Sequence, residues 1–172
     1  MRVLVAGATG AIGRPLLPML AAAGHEVVGI TRSEDKADQV RAAGAEPAIV
    51  DVHDTDALRR VVTEAGPEAV VNELTALPDE IDFRDAEALA PTNALRGEVG
   101  PALAKIAAEA GARRLIAQSV AFFYAPVGGP IKSEDDPLMK LPADSPMGGG
   151  PPALQTLERS TLETPGLDGL VL

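Results

Sequence analysis

The chain has 172 residues, of which 46% are apolar, and this length suffices for one domain with a sizeable core but is short for two. Its 25 acidic and 15 basic residues give a formal net charge of −10, and the basic residues are scattered, which argues against a nucleic-acid partner. The sequence contains no cysteine, which excludes disulfides, thiolate catalysis and sulfur-ligated metals.

Metal-binding and membrane-spanning patterns are also missing from the sequence. The two histidines, His25 and His53, lie beside predicted strand ends, with no carboxylate at metal-ligand spacing, so we predict no metal site. Strand-like residues begin at Arg2, and neither a basic segment nor a long apolar run precedes them. We therefore expect no signal peptide, no contact with a membrane and a cytoplasmic location.

Short apolar runs alternate with segments of helical spacing along the chain. The predicted strands are, in order, RVLVA, EVVGI, EPAIV, EAVVN, RRLIAQ and DGLVL. The predicted helices cover Ile12 to Ala23, Glu34 to Ala43, Thr55 to Ala65, Asp85 to Ala110 and Ala153 to Thr164. The first four helices are each followed by a glycine suited to a left-handed cap, namely Gly24, Gly44, Gly66 and Gly111. This alternation predicts a doubly wound α/β fold with a parallel sheet of about six strands.

The first strand is followed by GATGAIGR, in which Gly7, Gly10 and Gly13 recur at every third residue. In a dinucleotide site the first glycine permits a tight turn and the second lets the backbone approach the pyrophosphate. The third glycine lets helix and strand pack closely, and the free amides at the helix start face the phosphates. A purely structural turn is the alternative, but the position between a strand and a helix favours nucleotide binding.

The GATGAIG spacing resembles the short-chain dehydrogenase/reductase superfamily, specifically its extended branch of epimerase, dehydratase and reductase relatives. Further matches follow in the order GHEVVGITRS, IVDVHD, VVNELTAL, RRLIAQSVAFFYAP and SEDDPL. The resemblance implies a Rossmann-like NAD(P)-binding domain over residues 1–172, with a loop-rich insertion at about 125–152. Extended members continue into a C-terminal substrate domain, which is largely absent from this chain. The sequence is accordingly a fragment of a longer protein or a naturally short form.

The resemblance also implies which residues contact the cofactor. The pyrophosphate would be held by Gly7, Thr9, Gly10, Ala11, Ile12 and Gly13. Asp51 and Val52 would contact the adenine, although a role at a helix N-terminus is the alternative for Asp51. The ribose on the nicotinamide side would be lined by Leu74, Thr75 and Ala76. Asn93 would support this region or be a plain polar helix residue.

The end of the second strand distinguishes the two nicotinamide cofactors. It reads Ile30, Thr31, Arg32 and Ser33. An NAD site places an acid near this point for the ribose 2′-hydroxyl, whereas an NADP site places a cation there for the 2′-phosphate. No acid occurs before Glu34, and Arg32 can bind phosphate in a bidentate manner, with Arg14 joining from the first helix. We predict that NADP is preferred and that NAD is possible; the alternative is that both arginines are solvated surface charges.

The usual catalytic residues of the superfamily are missing. Its alcohol-oxidising members use a YxxxK motif and a serine or threonine at the end of the fifth strand. Those positions hold Val120, Met147 and Pro151 here, and none of these side chains exchanges a proton. The remaining candidates are Tyr124, which is the only tyrosine, and Ser119, for which a backbone-bonded strand hydroxyl is the alternative. Other donors in the loop are Lys132, Glu134, Asp135 and Lys140.

Two classes of function stay open on these observations. The resemblance implies an NAD(P)-dependent oxidoreductase or epimerase-like enzyme acting on a small carbonyl or sugar-type substrate. The missing catalytic residues favour a non-catalytic NADP(H)-binding redox sensor or regulatory interaction protein. The stretch ALAKIAAEA offers small residues suited to a homodimer contact, and the alternative is that the same alanines pack on the sheet.

Overall fold

A computed structural model of the chain describes residues 1–78 and 80–172. All six predicted strands are present, as β1 Arg2–Ala6, β2 Glu26–Thr31, β3 Glu46–Ile49, β4 Ala69–Asn72, β5 Arg114–Ala117 and β6 Asp168–Val171. They form one sheet in the order β3-β2-β1-β4-β5-β6, and every neighbouring pair is parallel. The structure therefore confirms the predicted Rossmann-like doubly wound sheet.

The strand order reverses between β1 and β4, and this switch point lies in the middle of the sheet. The last residues of three central strands are in register, since Ala6 pairs with Asn72 and Asn72 pairs with Ala117. The loops that begin at Gly7, Glu73 and Gln118 consequently leave the sheet at the same level. In open α/β sheets this is the place where ligands bind.

The helices are α1 Gly13–Ala22, α2 Glu34–Ala42, α3 Thr55–Ala65, α4 Ala86–Ala94, α5 Gly100–Glu109 and α6 Gly150–Glu163. The four predicted capping glycines all have positive φ. The predicted long helix from Asp85 to Ala110 is interrupted by the π-helical segment Leu95–Val99, where the Gly100 amide donates to the Leu95 carbonyl five residues earlier. Pro101 has no amide hydrogen for the carbonyl of Gly97, so regular α-helical bonding cannot run through this point.

Both faces of the sheet are buried. On β1, Val3 and Val5 belong to one apolar cluster, whereas Leu4 and Ala6 belong to a second cluster on the other face. The first cluster is closed by residues of α1 and α2, and the second by residues of α3 and α5. This alternation explains why the strands are apolar throughout rather than at every second residue.

The segment between β5 and α6 has little regular structure. A 3₁₀ turn at Ala121–Phe123 is followed by an isolated antiparallel bridge between Tyr124 and Leu138. α6 begins at Gly150, three residues before the predicted Ala153, because prolines are tolerated in a first helical turn whose amides need no intrahelical partner.

The small residues of α5 pack inside the protein. Leu103, Ala104, Ile106 and Ala107 are buried in the same cluster as Leu4, so the alanines of ALAKIAAEA lie on the sheet, and the homodimer stays a prediction. Within residues 1–78 and 80–172, every helix is too short or too polar to cross a membrane.

Candidate functional site

Two clefts open at the carboxyl ends of the strands, one on each side of the switch point. The β2-side cleft has a volume of about 190 Å³ and lies against residues that follow β1, β2 and β4. The β5-side cleft has a volume of about 210 Å³ and lies against residues that follow β1, β4 and β5. Four residues line both clefts, namely Glu73, Leu74, Thr75 and Leu95. The two clefts therefore form one groove across the carboxyl end of the sheet.

The three glycines after β1 serve different purposes. Gly7 has a φ of 87°, and a Cβ there would lie 2.4 Å from the carbonyl oxygen of Glu73. A Cβ at Gly13 would lie 2.2 Å from the carbonyl oxygen of Gly7. A Cβ at Gly10 would meet only that same oxygen, at 3.2 Å, and Gly10 lines the β2-side cleft. Packing within the chain thus accounts for Gly7 and Gly13, while Gly10 leaves room for a ligand.

The start of α1 is free of side-chain caps. In the described residues, the N-cap Ile12 makes no capping hydrogen bond and the first turn contains no acid. Ala11 and Ile12 line the β5-side cleft, so the uncapped end of the helix adjoins the groove. An anion placed there would accept hydrogen bonds from the free amides and would be favoured by the helix dipole.

Two cations lie at the far end of the β2-side cleft. Arg32 follows β2, and Lys36, which the sequence reasoning missed, lies in the first turn of α2; both line the cleft. Arg14 instead lines a separate depression with Pro18 and Gln39, so the structure does not bring it into the groove with Arg32. The spacing of Lys36, four residues after Arg32, could have indicated it.

A buried hydroxyl at the same cleft supports the fit of a polar ligand. Thr31 is 3% exposed, it lines the β2-side cleft, and its hydroxyl has no hydrogen-bond partner among the described residues. An unpaired buried polar group costs about 1–3 kcal/mol. Together with the space at Gly10 and the cations Arg32 and Lys36, this hydroxyl fits a phosphorylated nucleotide in the cleft.

Of the two residues expected at the adenine, only one lines the cleft. Val52 is buried in the wall of the β2-side cleft beside His53. The Asp51 side chain is exposed and accepts a hydrogen bond of 3.0 Å from the His53 amide. The N-cap of α3 is Asp54, whose side chain accepts from the Ala57 amide. Asp51 therefore shapes the turn before α3, and its contact with adenine stays a prediction.

The first residues of the loop after β4 are held by two hydrogen bonds. The Asn72 side chain accepts a hydrogen bond of 3.2 Å from the Leu74 amide, and the Thr92 hydroxyl accepts one of 2.9 Å from the Ala76 amide. Both polar side chains are buried. The predicted support from Asn93 is thus provided by its neighbour Thr92, while Leu74, Thr75 and Ala76 line the groove as expected.

Ser119 lines the β5-side cleft, next to Val120. Its hydroxyl donates a hydrogen bond to the carboxylate of Glu158 in α6 rather than to the backbone. Glu158 was not identified from the sequence, because 39 residues separate it from Ser119 and no local motif joins them. A hydrogen-bonded hydroxyl and carboxylate therefore lie at the carboxyl end of β5.

Tyr124 lies away from the groove. In the described part of the chain it lines neither cleft, and its backbone pairs with Leu138. Partial burial and the negative charge of Glu158, with smaller effects of Glu134 and Asp136, raise the pKa of the Tyr124 hydroxyl. This environment is the opposite of a YxxxK motif, in which the lysine lowers the tyrosine pKa.

Two charged residues in the groove were missed by the sequence reasoning. Glu73 directly follows β4 and lines both clefts, and burial raises the pKa of its carboxyl group. Arg96 lies in the π-helical segment and lines the β5-side cleft, and burial lowers the pKa of its guanidinium. Glu73 could have been identified from the sequence, because it is an acid within the largely apolar run VVNELTAL.

Comparison with known proteins identifies the family. Residues 7–145 match the sequence profile of a family described as NAD(P)H-binding. The chain belongs to this NAD(P)H-binding family. A 3-diazoavenalumate denitrifying reductase from a Streptomyces species is 45% identical to this NAD(P)H-binding chain over 175 aligned residues, which cover 100% of the chain and 55% of the reductase.

Solved structures of other enzymes share the fold. The Bordetella bronchiseptica enzyme WbmG, determined with NAD and UDP, matches 99% of this NAD(P)H-binding chain with a TM-score of 0.74 and 25% identity, over 51% of its own length. A UDP-glucose 4-epimerase from Bifidobacterium longum, determined with NAD⁺ and UDP, gives a TM-score of 0.76 at 19% identity, over 98% of the chain and 51% of its own length. The chain thus spans about half the length of these relatives. The matches confirm its predicted place in the extended short-chain dehydrogenase/reductase superfamily.

Replacing Gly10 and Gly13 by alanine should separate ligand binding from packing. Gly13→Ala places a methyl group against backbone atoms and should lower the free energy of unfolding by more than about 1 kcal/mol. Gly10→Ala should change it by less, yet weaken NADPH binding about tenfold or more because the methyl group lies at the cleft wall. Urea unfolding and NADPH titration measure the two effects. Equal NADPH affinity in Gly10→Ala and the unaltered chain would contradict this role.

The Glu73 carboxyl should make stability depend on pH. Because its pKa is raised in the folded state, the folded chain binds more protons than the unfolded chain as pH rises above the ordinary glutamate value, and stability falls there. The Glu73→Gln variant does not lose stability in this way. Its free energy of unfolding, compared with that of the unaltered chain, should therefore rise from pH 4 towards pH 7. Urea unfolding at several pH values measures it, with Glu64→Gln on α3 as an exposed control. A constant difference at all pH values would show that Glu73 is not the group responsible.

Proposed function

We propose that the chain is the NADP(H)-binding part of a reductase that acts on a small molecule in the β5-side cleft. The observation that carries the proposal is the joining of two chemically different clefts at Glu73, Leu74 and Thr75. One cleft holds cations suited to a phosphorylated nucleotide, and the other holds proton-exchanging and polar groups beside it. The family membership and the reductase relative, which aligns along the whole chain, support this assignment.

In this proposal the groove residues bind the cofactor in the order of the superfamily. The pyrophosphate lies on the turn after β1, formed by Gly7, Thr9, Gly10, Ala11, Ile12 and Gly13. The adenine contacts Val52, with Asp51 at the rim of the turn. The ribose on the nicotinamide side lies against Leu74, Thr75 and Ala76. The bound nicotinamide supplies a hydride to the substrate.

NADP is the proposed form of the cofactor. Arg32 and Lys36 line the cleft together, and no acid follows β2 before Glu34, which is exposed and pairs with Arg41. Two cations favour a 2′-phosphate, whereas a 2′-hydroxyl needs an acceptor. Arg14, in its separate depression, takes no part in this contact.

The chain itself orients the substrate and controls protons in the β5-side cleft. Because the Ser119 hydroxyl donates its one proton to Glu158, its oxygen can accept a hydrogen bond from a hydroxyl or amine of the substrate. Glu73 is the acid closest to the switch point, and its raised pKa makes it a proton donor at higher pH than an ordinary glutamate. Leu157 and Val120 exclude water from the apolar side of the cleft.

One class of substrate can accept a hydride without a tyrosine that donates a proton. Reduction of a carbonyl leaves an alkoxide that must be protonated, which is the task of YxxxK. The name of the Streptomyces relative describes a reductase that removes nitrogen from a diazo compound. Replacement of a diazonium group by hydride yields R–H and N₂, and no oxygen needs a proton. A substrate with a leaving group of this kind accounts for Val120, Met147 and Pro151 at the catalytic positions.

A non-catalytic NADP(H) sensor is the second candidate function. The observation that favours it is which residues occupy the positions of the YxxxK motif. Met147 lines an apolar pocket, and Pro151 is buried in the first turn of α6. In this version the groove binds NADP(H) and a partner protein recognises the loop-rich region at 125–152.

The domain organisation is part of the same proposal. Residues 1–172 form the NAD(P)-binding domain, and the relatives are about twice as long. A homodimer through the exposed side of the α4–α5 region is compatible with the burial of the α5 alanines.

Arg32→Ala should lower NADPH affinity without a comparable loss for NADH. Removal of a charge-assisted contact to the 2′-phosphate should weaken NADPH binding about tenfold to a hundredfold, and Lys36→Ala should act in the same direction. Fluorescence titration with both cofactors measures the ratio of dissociation constants. Arg14→Ala is the matched control and should leave the ratio unchanged. An unchanged ratio in Arg32→Ala would overturn the NADP assignment.

Turnover separates the reductase from the sensor. We expect sustained oxidation of NADPH, followed by its absorbance, with members of a panel of aryl diazonium and small carbonyl compounds, and faster oxidation with the diazonium compounds. Tight NADPH binding without oxidation, combined with a partner protein whose affinity depends on the NADPH to NADP⁺ ratio, would favour the sensor. A failure to bind either cofactor would contradict both candidates.

A further inference from the structure

Arg96 lies at the junction of two cavities. It is half-buried and lines both the β5-side cleft and a neighbouring apolar pocket of about 80 Å³. The π-helical segment Leu95–Val99 presents it there, and π-helical turns occur often at functional sites. The guanidinium is thus partly removed from water at a point where a small molecule can reach it.

The charge of Arg96 has no partner within the described chain. Other arginines such as Arg2, Arg41 and Arg114 pair with carboxylates, whereas no acid in residues 1–78 or 80–172 forms an ion pair with Arg96. Burial without compensating hydrogen bonds is the cause of its lowered pKa. A partly buried guanidinium binds a carboxylate in a bidentate manner, and that contact offsets the cost of burial.

Among the described residues, Glu73 is the acid that lines the β5-side cleft, and Glu158 is bonded to Ser119 in that lining. Glu73 lies on the switch-point side, where burial disfavours its charge. Neither carboxylate lies within 4.0 Å of the Arg96 nitrogens, because neither forms a salt bridge with it. An anionic ligand therefore meets one fixed cation there.

The apolar pocket beside Arg96 is aromatic. This aromatic slot is lined by Leu77, Ile81, Phe83, Phe122, Phe123 and Met147. The Phe83 and Phe122 rings are 5.8 Å apart in an edge-to-face arrangement, and the Phe122 and Phe123 rings are 4.8 Å apart. Phe83 is 45% exposed and Phe122 is 53% exposed, so a flat apolar ligand that covers them removes aromatic surface from water.

The slot and the cleft are continuous. Leu77, Arg96 and Val120 line both of them, so a ligand can reach the ring surface and the guanidinium at once. We propose that the protein binds a small planar aromatic carboxylate, with the carboxylate on Arg96 and the ring in the aromatic slot. This inference rests on the proposed function, because the same cleft is where the substrate meets the nicotinamide.

Direct binding tests the proposal without relying on turnover. Cinnamate is the probe, with its uncharged amide and the non-aromatic hexanoate as matched ligands, each titrated calorimetrically in the presence of NADP⁺. We expect cinnamate to bind most tightly, and Arg96→Gln to weaken it about tenfold to a hundredfold while leaving NADPH affinity unchanged. Arg96→Lys, which keeps the charge but loses the bidentate fork, should give an intermediate loss.

Two control variants keep the outcomes distinct. Phe122→Ala, at an exposed position, should weaken cinnamate but not hexanoate, and Arg60→Gln on the exposed face of α3 should change neither. Equal binding of cinnamate and its amide, or unaltered cinnamate binding in a folded Arg96→Gln variant, would overturn the inference. Failure of the unaltered protein to bind NADPH would instead contradict the proposed function.

Discussion

The close approach of Gly7 to Glu73 is the constraint on which the groove depends. Only hydrogen fits between the Gly7 Cα and the Glu73 carbonyl, so the loops leaving β1 and β4 are in contact before they diverge around the switch point. The Glu73 amide also donates to the Ala6 carbonyl at 2.9 Å, which extends the pairing of the two strands by one residue. The two clefts consequently share a rigid wall, and their relative position is set by backbone geometry rather than by flexible side chains.

Charge is distributed unevenly in this acidic protein. The formal net charge is −10, yet the groove holds Arg32 and Lys36 at one end and Arg96 at the other, around a partly buried Glu73. An overall negative surface repels anions at long range, whereas clefts lined by cations concentrate them locally. The groove is therefore suited to negative charge near both of its ends, as the proposed phosphorylated cofactor and the proposed aromatic carboxylate would supply.

Local patterns were sufficient to predict the fold, since each strand is a short apolar run and each turn after a helix carries a glycine. The glycine turn was predictable because its spacing is a local motif, although the close approach of Gly7 to the Glu73 carbonyl is not local. The places of Glu158 and Arg96 in the site could not be predicted from local patterns. Glu158 bonds Ser119, which lies 39 positions earlier in the sequence, and the π-helical turn that holds Arg96 breaks the usual helical period. One extra residue in a turn rotates the side chains beyond it by about 100°. The same limit applies to Arg14, whose direction on α1 could not be read from its distance to the glycines.

The absence of a side chain at Gly100 has a consequence for the shape of the substrate cleft. A Cβ there would lie 2.6 Å from the Leu157 side chain, so this glycine lets α6 sit directly on the π-helical segment. Leu157 lines the cleft, and its neighbour Glu158 holds Ser119. Residue 100 itself lines neither cleft, yet a larger residue there would displace the Leu157 side chain, which lines the β5-side cleft. The shape of the cleft thus depends on a residue outside its lining.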